Sequence, residues 1–128
     1  MGRITCSVTV ASVANPSKSI QCDALVDTGA AHLVLPAAWR GRLGSLETLE
    51  RVTVETATQE TVQGEICGPV KIGVEGFRGV YGEVLFLDMR PQDGQYQPLI
   101  GYLVLEAIPA AVDMLGHRLL RVPHVDLK

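Results

Sequence analysis

The sequence predicts an all-β fold, a small closed or partly closed β-barrel, and three observations carry that expectation. Apolar residues recur at every second position over much of the chain. Valine is abundant while aromatic residues make up only 5% of the chain, so the core is built from β-branched and aliphatic side chains. Thirteen glycines, with Asn-Pro and Gly-centred turn signals, cut the alternating stretches into short strands at regular spacing. With 128 residues, 47% hydrophobic and 20% charged, the chain is expected to form one domain over residues 1–128 with enough apolar surface for a core.

In residues 3–13, Ile4, Cys6, Val8 and Val10 alternate with Thr5, Ser7 and Thr9, the pattern of a strand and not of a leader peptide. Asn15-Pro16-Ser17-Lys18 turns the chain, and residues 19–26 place Ile20, Cys22, Ala24 and Val26 on one face of a second strand. Leu33, Val34 and Leu35 resume extended character, and residues 36–40 read as a single helical turn with Pro36 at its first position. Residues 49–57 and 60–66 alternate Val and Thr with polar groups around a tip at Thr58-Gln59, which reads as a projecting hairpin wet on one face. Residues 70–74 and 79–87 form another pair around Gly76-Phe77-Arg78, and residues 88–97 are a polar loop. Pro98-Leu99-Ile100-Gly101 is a short apolar strand, and residues 102–108 are the one clear helical stretch, stopped by Pro109. Residues 110–113 and 118–122 flank Met114-Leu115-Gly116-His117 as a last hairpin, closed by Pro123.

Eleven basic against 14 acidic residues give a net charge of −3, and no Lys/Arg run is present, so a nucleic-acid partner is not expected. Every apolar stretch is interrupted well short of the roughly 20 residues a membrane helix needs, so no membrane partner is expected. Cys6, Cys22 and Cys67 are widely separated and odd in number, which suits reduced thiols in a cytoplasmic setting. His32, His117 and His124 lack metal-ligand spacing, no Cys-His pair is legible, and Gly-x-Ser-x-Gly is missing. No metal or other cofactor is expected.

The chemistry-bearing motif is Asp27-Thr28-Gly29-Ala30, a carboxylate at the end of the apolar strand Ala24-Leu25-Val26. Peptide hydrolysis without a metal or a nucleophilic side chain needs a water deprotonated as it attacks and a carbonyl oxygen that receives a proton. Two carboxylates sharing one proton do both, because their like charges push the two ionisations apart. Gly29 lets the turn bring two backbones close, and the Thr28 hydroxyl can brace the pair. Asp27 has a plainer reading as a turn former, Asp23 as a wet strand entrance and Asp113 as a turn residue.

Asp27-Thr28-Gly29-Ala30 after Leu25-Val26, followed by Leu99-Ile100-Gly101 and a short helix, closely resembles the retropepsin-like aspartic proteases. The resemblance covers residues 24–122, in the family order of catalytic loop, flap hairpin, apolar-apolar-Gly strand, helix and last hairpin. The tail from Gly101 looks more like the small cellular and bacterial members than the viral ones. It implies a retropepsin-like acid-protease β-barrel with a flap and one short C-terminal helix, and aspartic endopeptidase activity on polypeptide substrates. Asp27, Thr28 and Gly29 would be catalytic, and substrate would lie between Ala30, Ala31 and His32 on one side and Thr56, Ala57, Thr58, Gln59 and Glu60 of the flap on the other.

Viral members commonly carry Asp after Asp-Thr-Gly-Ala and Arg after the later Gly, where this chain has Ala31 and Tyr102; the flap tip also lacks Gly. The chain has no second Asp-Thr-Gly or Asp-Ser-Gly, so the second carboxylate would come from another copy, in a homodimer. The alternative is a non-catalytic peptide-binding or assembly module that keeps the fold.

Overall fold

The structure, a computed structural model, describes residues 3–55 and 58–122. Period-two alternation builds β1 (Thr5–Ser12) and β2 (Ser19–Val26), an antiparallel pair with Val8 opposite Cys22. Val8, Val10, Ile20 and Ala24 turn inward and are buried. The connecting turn is closed by Lys18 N–H donating to Asn15 O at 2.9 Å and by Asn15 N–H donating to Ser12 Oγ at 3.2 Å.

β3 (Leu33–Pro36) is buried at all four residues, because β6 (Val80–Leu87) and β7 (Leu99–Ile100) flank it and both its faces are covered. The expected single helical turn after it is a longer 3-10 helix, Ala37–Leu43. Leu43 is fully buried and draws the chain onward, and Gly44 then leaves the helix at φ +71°.

β4 (Glu47–Glu55) and β5 (Thr61–Val74) form the projecting hairpin, whose register shifts between Thr48 and Glu50, leaving Leu49 exposed. The two strands expected at 60–66 and 70–74 are in fact one. Proline has no N–H for a ladder, but here the register against β6 shifts between Cys67 and Val70, so Pro69 falls in the irregular step and the strand continues. The Gly68–Pro69 peptide bond is cis.

Seven strands form one sheet in the order β1-β2-β7-β3-β6-β5-β4, and an added β1–β5 pairing closes it into a barrel with β4 outside the ring. Two pairings are parallel, β2 with β7 and β3 with β6. Leu33, Leu35, Val70, Ile72, Val84, Phe86 and Ile100 fill the interior. Leu99 is only half-buried, while Ile100 beside it is fully enclosed.

Helix α1 (Tyr102–Ala107) packs Val104 and Leu105 inward, and β8 (Ala110–Asp113) with β9 (Arg118–Arg121) makes a separate two-stranded sheet. Pro123, expected to close that hairpin, and His124 lie outside the described residues. No described helix is long and apolar enough to cross a membrane.

Candidate active site

The β2–β7 ladder decides where Asp27 stands. Leu25 lies opposite Leu99 and Val26 opposite Ile100; one residue further on, the Asp27 N–H donates to Ile100 O at 3.0 Å. The chain then turns on the aspartate itself. Asp27 Oδ1 accepts the Gly29 N–H at 2.9 Å, and Asp27 O accepts the Ala30 N–H at 3.1 Å. A Cβ on Gly29 would sit 3.2 Å from Asp27 Oδ1, so the missing side chain lets the carboxylate fold back onto the turn.

The second half of the loop is fixed from α1. Its first turn has amides without helical acceptors, and here Tyr102 N–H donates to Ala30 O at 2.9 Å and Leu103 N–H to Ala31 O at 3.0 Å. These bonds need α1 to lie directly on the loop, which only glycine allows. A Cβ at Gly101 would meet Ala30 O and His32 O at 2.5 Å and the Ala31 carbonyl carbon at 2.6 Å.

Asp27 is half-buried, and Thr28 and Gly29 are exposed. Asp27 and Thr28 line a hollow of about 300 Å³ with Arg3, Ile4, Leu25, Val26, Val112 and Met114. Among the described residues, the Asp27 carboxylate meets no cation within ion-pair distance, and Gly29 N–H is the hydrogen-bond donor it engages. One carboxylate held this way can take a proton from water. Acting as base and acid in one step requires a second carboxyl from outside the chain.

The structure thus joins Asp27, Thr28, Gly29, Ala30 and Ala31 in one braced loop. His32 leaves it on another side, lining a hollow of about 240 Å³ between β6 and α1 with Ile72, Val80, Leu103 and Val104, its Nε2 3.5 Å from Glu83 Oε1. At the β4–β5 tip, Thr58, Gln59 and Glu60 are exposed, and Gln59 takes φ +65° in the place where glycine would be at ease. Thr56 and Ala57 lie outside the described residues.

Sequence reasoning missed the network at the base of that hairpin. Arg40, on the 3-10 helix, ion-pairs with Glu65 of β5 through Nη1, while its Nη2 donates to Leu46 O at 3.0 Å and Thr48 Oγ1 at 2.9 Å. Arg51 Nε adds a contact at 3.6 Å to the other Glu65 oxygen. No motif marks these residues.

The three cysteines are poor nucleophiles. Burial, with Cys22 and Asp23 adding to it, pushes the Cys6 thiol up to about 11. Burial and Asp23 push Cys22 to about 11, with Arg42 opposing. Burial also raises Cys67. None of the three is a ready thiolate at neutral pH. Among the described residues no three His, Cys, Asp or Glu side chains are grouped to hold a metal ion.

Among solved structures, the chain is similar to the EIAV protease complexed with the inhibitor HBY-793: TM-score 0.64, 21% identity, with 88% of this chain and 94% of that chain covered. No family model and no curated protein matches the chain. At that identity the likeness is one of fold: the chain has a retropepsin-like all-β barrel.

Proposed function

We propose that the chain is an aspartic endopeptidase that works as a homodimer, two Asp27 carboxylates holding the water that attacks a peptide bond. The observation that carries this reading is the placement of Asp27: its main chain is pinned to β7, one carboxylate oxygen is fixed by Gly29 N–H, and its side chain borders an open hollow with no ion pair to it among the described residues. The retropepsin-like fold supports it.

In this reading one Asp27 is ionised and takes a proton from the water as its oxygen bonds to the carbonyl carbon. The other Asp27 is protonated and gives its proton to the carbonyl oxygen. Collapse of the tetrahedral intermediate breaks the C–N bond, and the amine leaves with a proton returned from the pair. The α1 amides brace Ala30 and Ala31 without an acidic residue at 31 or an arginine at 102, so both departures from the viral pattern suit a loop already held within one chain. Substrate would lie extended beneath the β4–β5 hairpin, adding a strand through main-chain hydrogen bonds. Free Cys6, Cys22 and Cys67 suit a reducing, cytoplasmic location.

Asp27→Asn tests the mechanism. It keeps the turn acceptor but removes the ionisable group, so cleavage of a peptide library should fall at least about 100-fold while the circular dichroism spectrum is retained. The wild type should show a bell-shaped pH profile belonging to the pair. Undiminished cleavage by the folded variant would sink the mechanism; a wild type that binds peptides and cleaves none would leave a binding module on this fold.

A further inference from the structure

β6 has a strand on each side for only part of its length. Its pairing with β5 reaches back to Val80, whereas its pairing with β3 begins at Val84, opposite Leu33. Residues 80–83 instead face α1 across a gap, the hollow of about 240 Å³ that His32 borders. Ile72, Val80, Leu103, Val104 and Ala107 give it apolar walls. Gly82 keeps it open: a Cβ built there would meet Ile72 Cδ1 at 3.8 Å and nothing else within 4 Å.

The polar groups at its rim keep capacity to spare. His32 Nε2 and Glu83 Oε1 stand 3.5 Å apart, too far for a good hydrogen bond, and among the described residues no other hydrogen bond or ion pair reaches the Glu83 carboxylate. Half of the Glu83 side chain stays in solvent. The neighbouring cations are engaged elsewhere: Lys71 Nζ lies over the Tyr81 ring, 5.9 Å from its centroid, and Arg78 Nη2 donates to Ala107 O at 3.0 Å. The rim therefore offers a carboxylate and an imidazole nitrogen above an apolar pocket. None of the residues lining it borders the hollow at Asp27.

We propose that this hollow is a binding site for a small amphipathic amine, its ammonium group held between Glu83 and His32 and its apolar body seated against Ile72, Leu103 and Val104. Charge selects the head. An ammonium group donates hydrogen bonds and accepts none, the complement of a carboxylate beside a neutral imidazole, whereas an anionic head would meet Glu83 at close range. Size selects the body: the volume falls below the roughly 300–1,000 Å³ of sites for drug-sized ligands, so a single ring or a short branched chain fills it. Leu103, one wall of the hollow, also donates its N–H to Ala31 O, so an occupant bears on the Asp27 loop from behind. The site stands independently of the peptidase reading.

Amide chemical-shift titration with phenethylamine tests it, against phenethyl alcohol and hydrocinnamate, which keep the ring and change the head. The amine should bind with a dissociation constant of about 1 mM or tighter, its shifts centred on residues 80–83 and 103–107, and the other two should bind at least about tenfold more weakly. Glu83→Gln keeps the shape and removes the charge, so it should weaken the amine about tenfold and leave the alcohol unchanged. Gly82→Val fills the hollow from the strand and Ala107→Leu from the helix; each variant whose circular dichroism spectrum is retained should lose the amine. Glu75→Gln, an exposed carboxylate outside the hollow, should change nothing. The proposal is overturned by an amine that binds no tighter than the alcohol or shifts residues elsewhere, by undiminished binding in Glu83→Gln, or by binding that survives in the filled variants. Absence of amine binding at about ten times the expected dissociation constant overturns it as well.

Discussion

Between Asp27 and Leu103 the links that fix the loop, apart from the Asp27 Oδ1 bond to Gly29 N–H, run from main chain to main chain, whereas at the base of the β4–β5 hairpin they are the ends of side chains. Main-chain bonds at a close-packed junction have no rotamer to change. Arg40 and Glu65 keep 31% and 30% of their side chains in solvent, where ion pairs are screened and can be released one at a time. Stiffness is thus distributed by bond type: the segment that holds a carboxylate is locked through the backbone, and the hairpin is tethered at its root. Substitutions in each region put that contrast to the test.

Gly101→Ala should have the largest effect. Its Cβ would lie 2.5 Å from two carbonyl oxygens, so α1 or the loop must move, at a cost of about 3 kcal/mol or more. Thermal unfolding should show a large drop and, on the proposed function, cleavage should be lost with it. A change below about 0.5 kcal/mol would mean that the loop has slack and that the contrast is false.

Arg40→Met comes next. It removes three hydrogen-bonding contacts and leaves Glu65 with the distant Arg51 and a long bond from the Thr48 hydroxyl, for a loss of about 1–2 kcal/mol. Amide exchange should quicken in residues 61–66 and stay unchanged in residues 27–31. Equal quickening in both would make them one cooperative unit.

Gln59→Gly should act in the opposite direction and more weakly. A residue with a side chain at φ +65° gives up roughly 1 kcal/mol relative to glycine, part of which returns through the greater freedom of glycine in the unfolded chain. A small rise in the unfolding midpoint is expected; a fall would show that the Gln59 side chain, and not its backbone, holds the tip.

The smallest effect extends the comparison to an anchor that titrates. The Gly116 N–H, with Arg118 and the Leu115 N–H assisting, holds the Asp113 carboxyl below its ordinary value. A value lower in the folded than in the unfolded chain contributes stability above the unfolded value and loses it as pH falls through the folded one. The β8–β9 turn should therefore loosen below about pH 4 and be indifferent to rising pH, which the exchange rate of the Gly116 amide can follow.

What could be read beforehand follows the range of each interaction. Alternation runs along a single strand, so β2 at Ser19–Val26 and β8 at Ala110–Asp113 stand where period two puts them. Asp27, Thr28 and Gly29 are contiguous, and their turn is local chemistry. By contrast, Ala30 and Ala31 are held through their carbonyls by amides of Tyr102 and Leu103, contacts that no side chain announces. Arg40 and Glu65 meet only because the barrel closes. His32, adjacent in sequence to the loop, suggests the same cleft, yet it lies toward Glu83 and α1, just before β3 begins at Leu33. Pro69 reads as a strand end because it lacks an N–H, and only the pairing with β6 shows that the ladder skips it.

That skipped step divides β5 into two lengths with different neighbours. Thr61 to Cys67 runs between β4 and β6, and Val70 to Val74 runs between β6 and β1. Elsewhere along β5 an added or deleted residue would invert which side chains face the core. At Gly68-Pro69 the ladder is already out of step, so a change of length there is absorbed without turning either half over. The hairpin and the barrel wall can therefore diverge, be exchanged or be lengthened as separate modules, with Gly68-Pro69 as the seam between them.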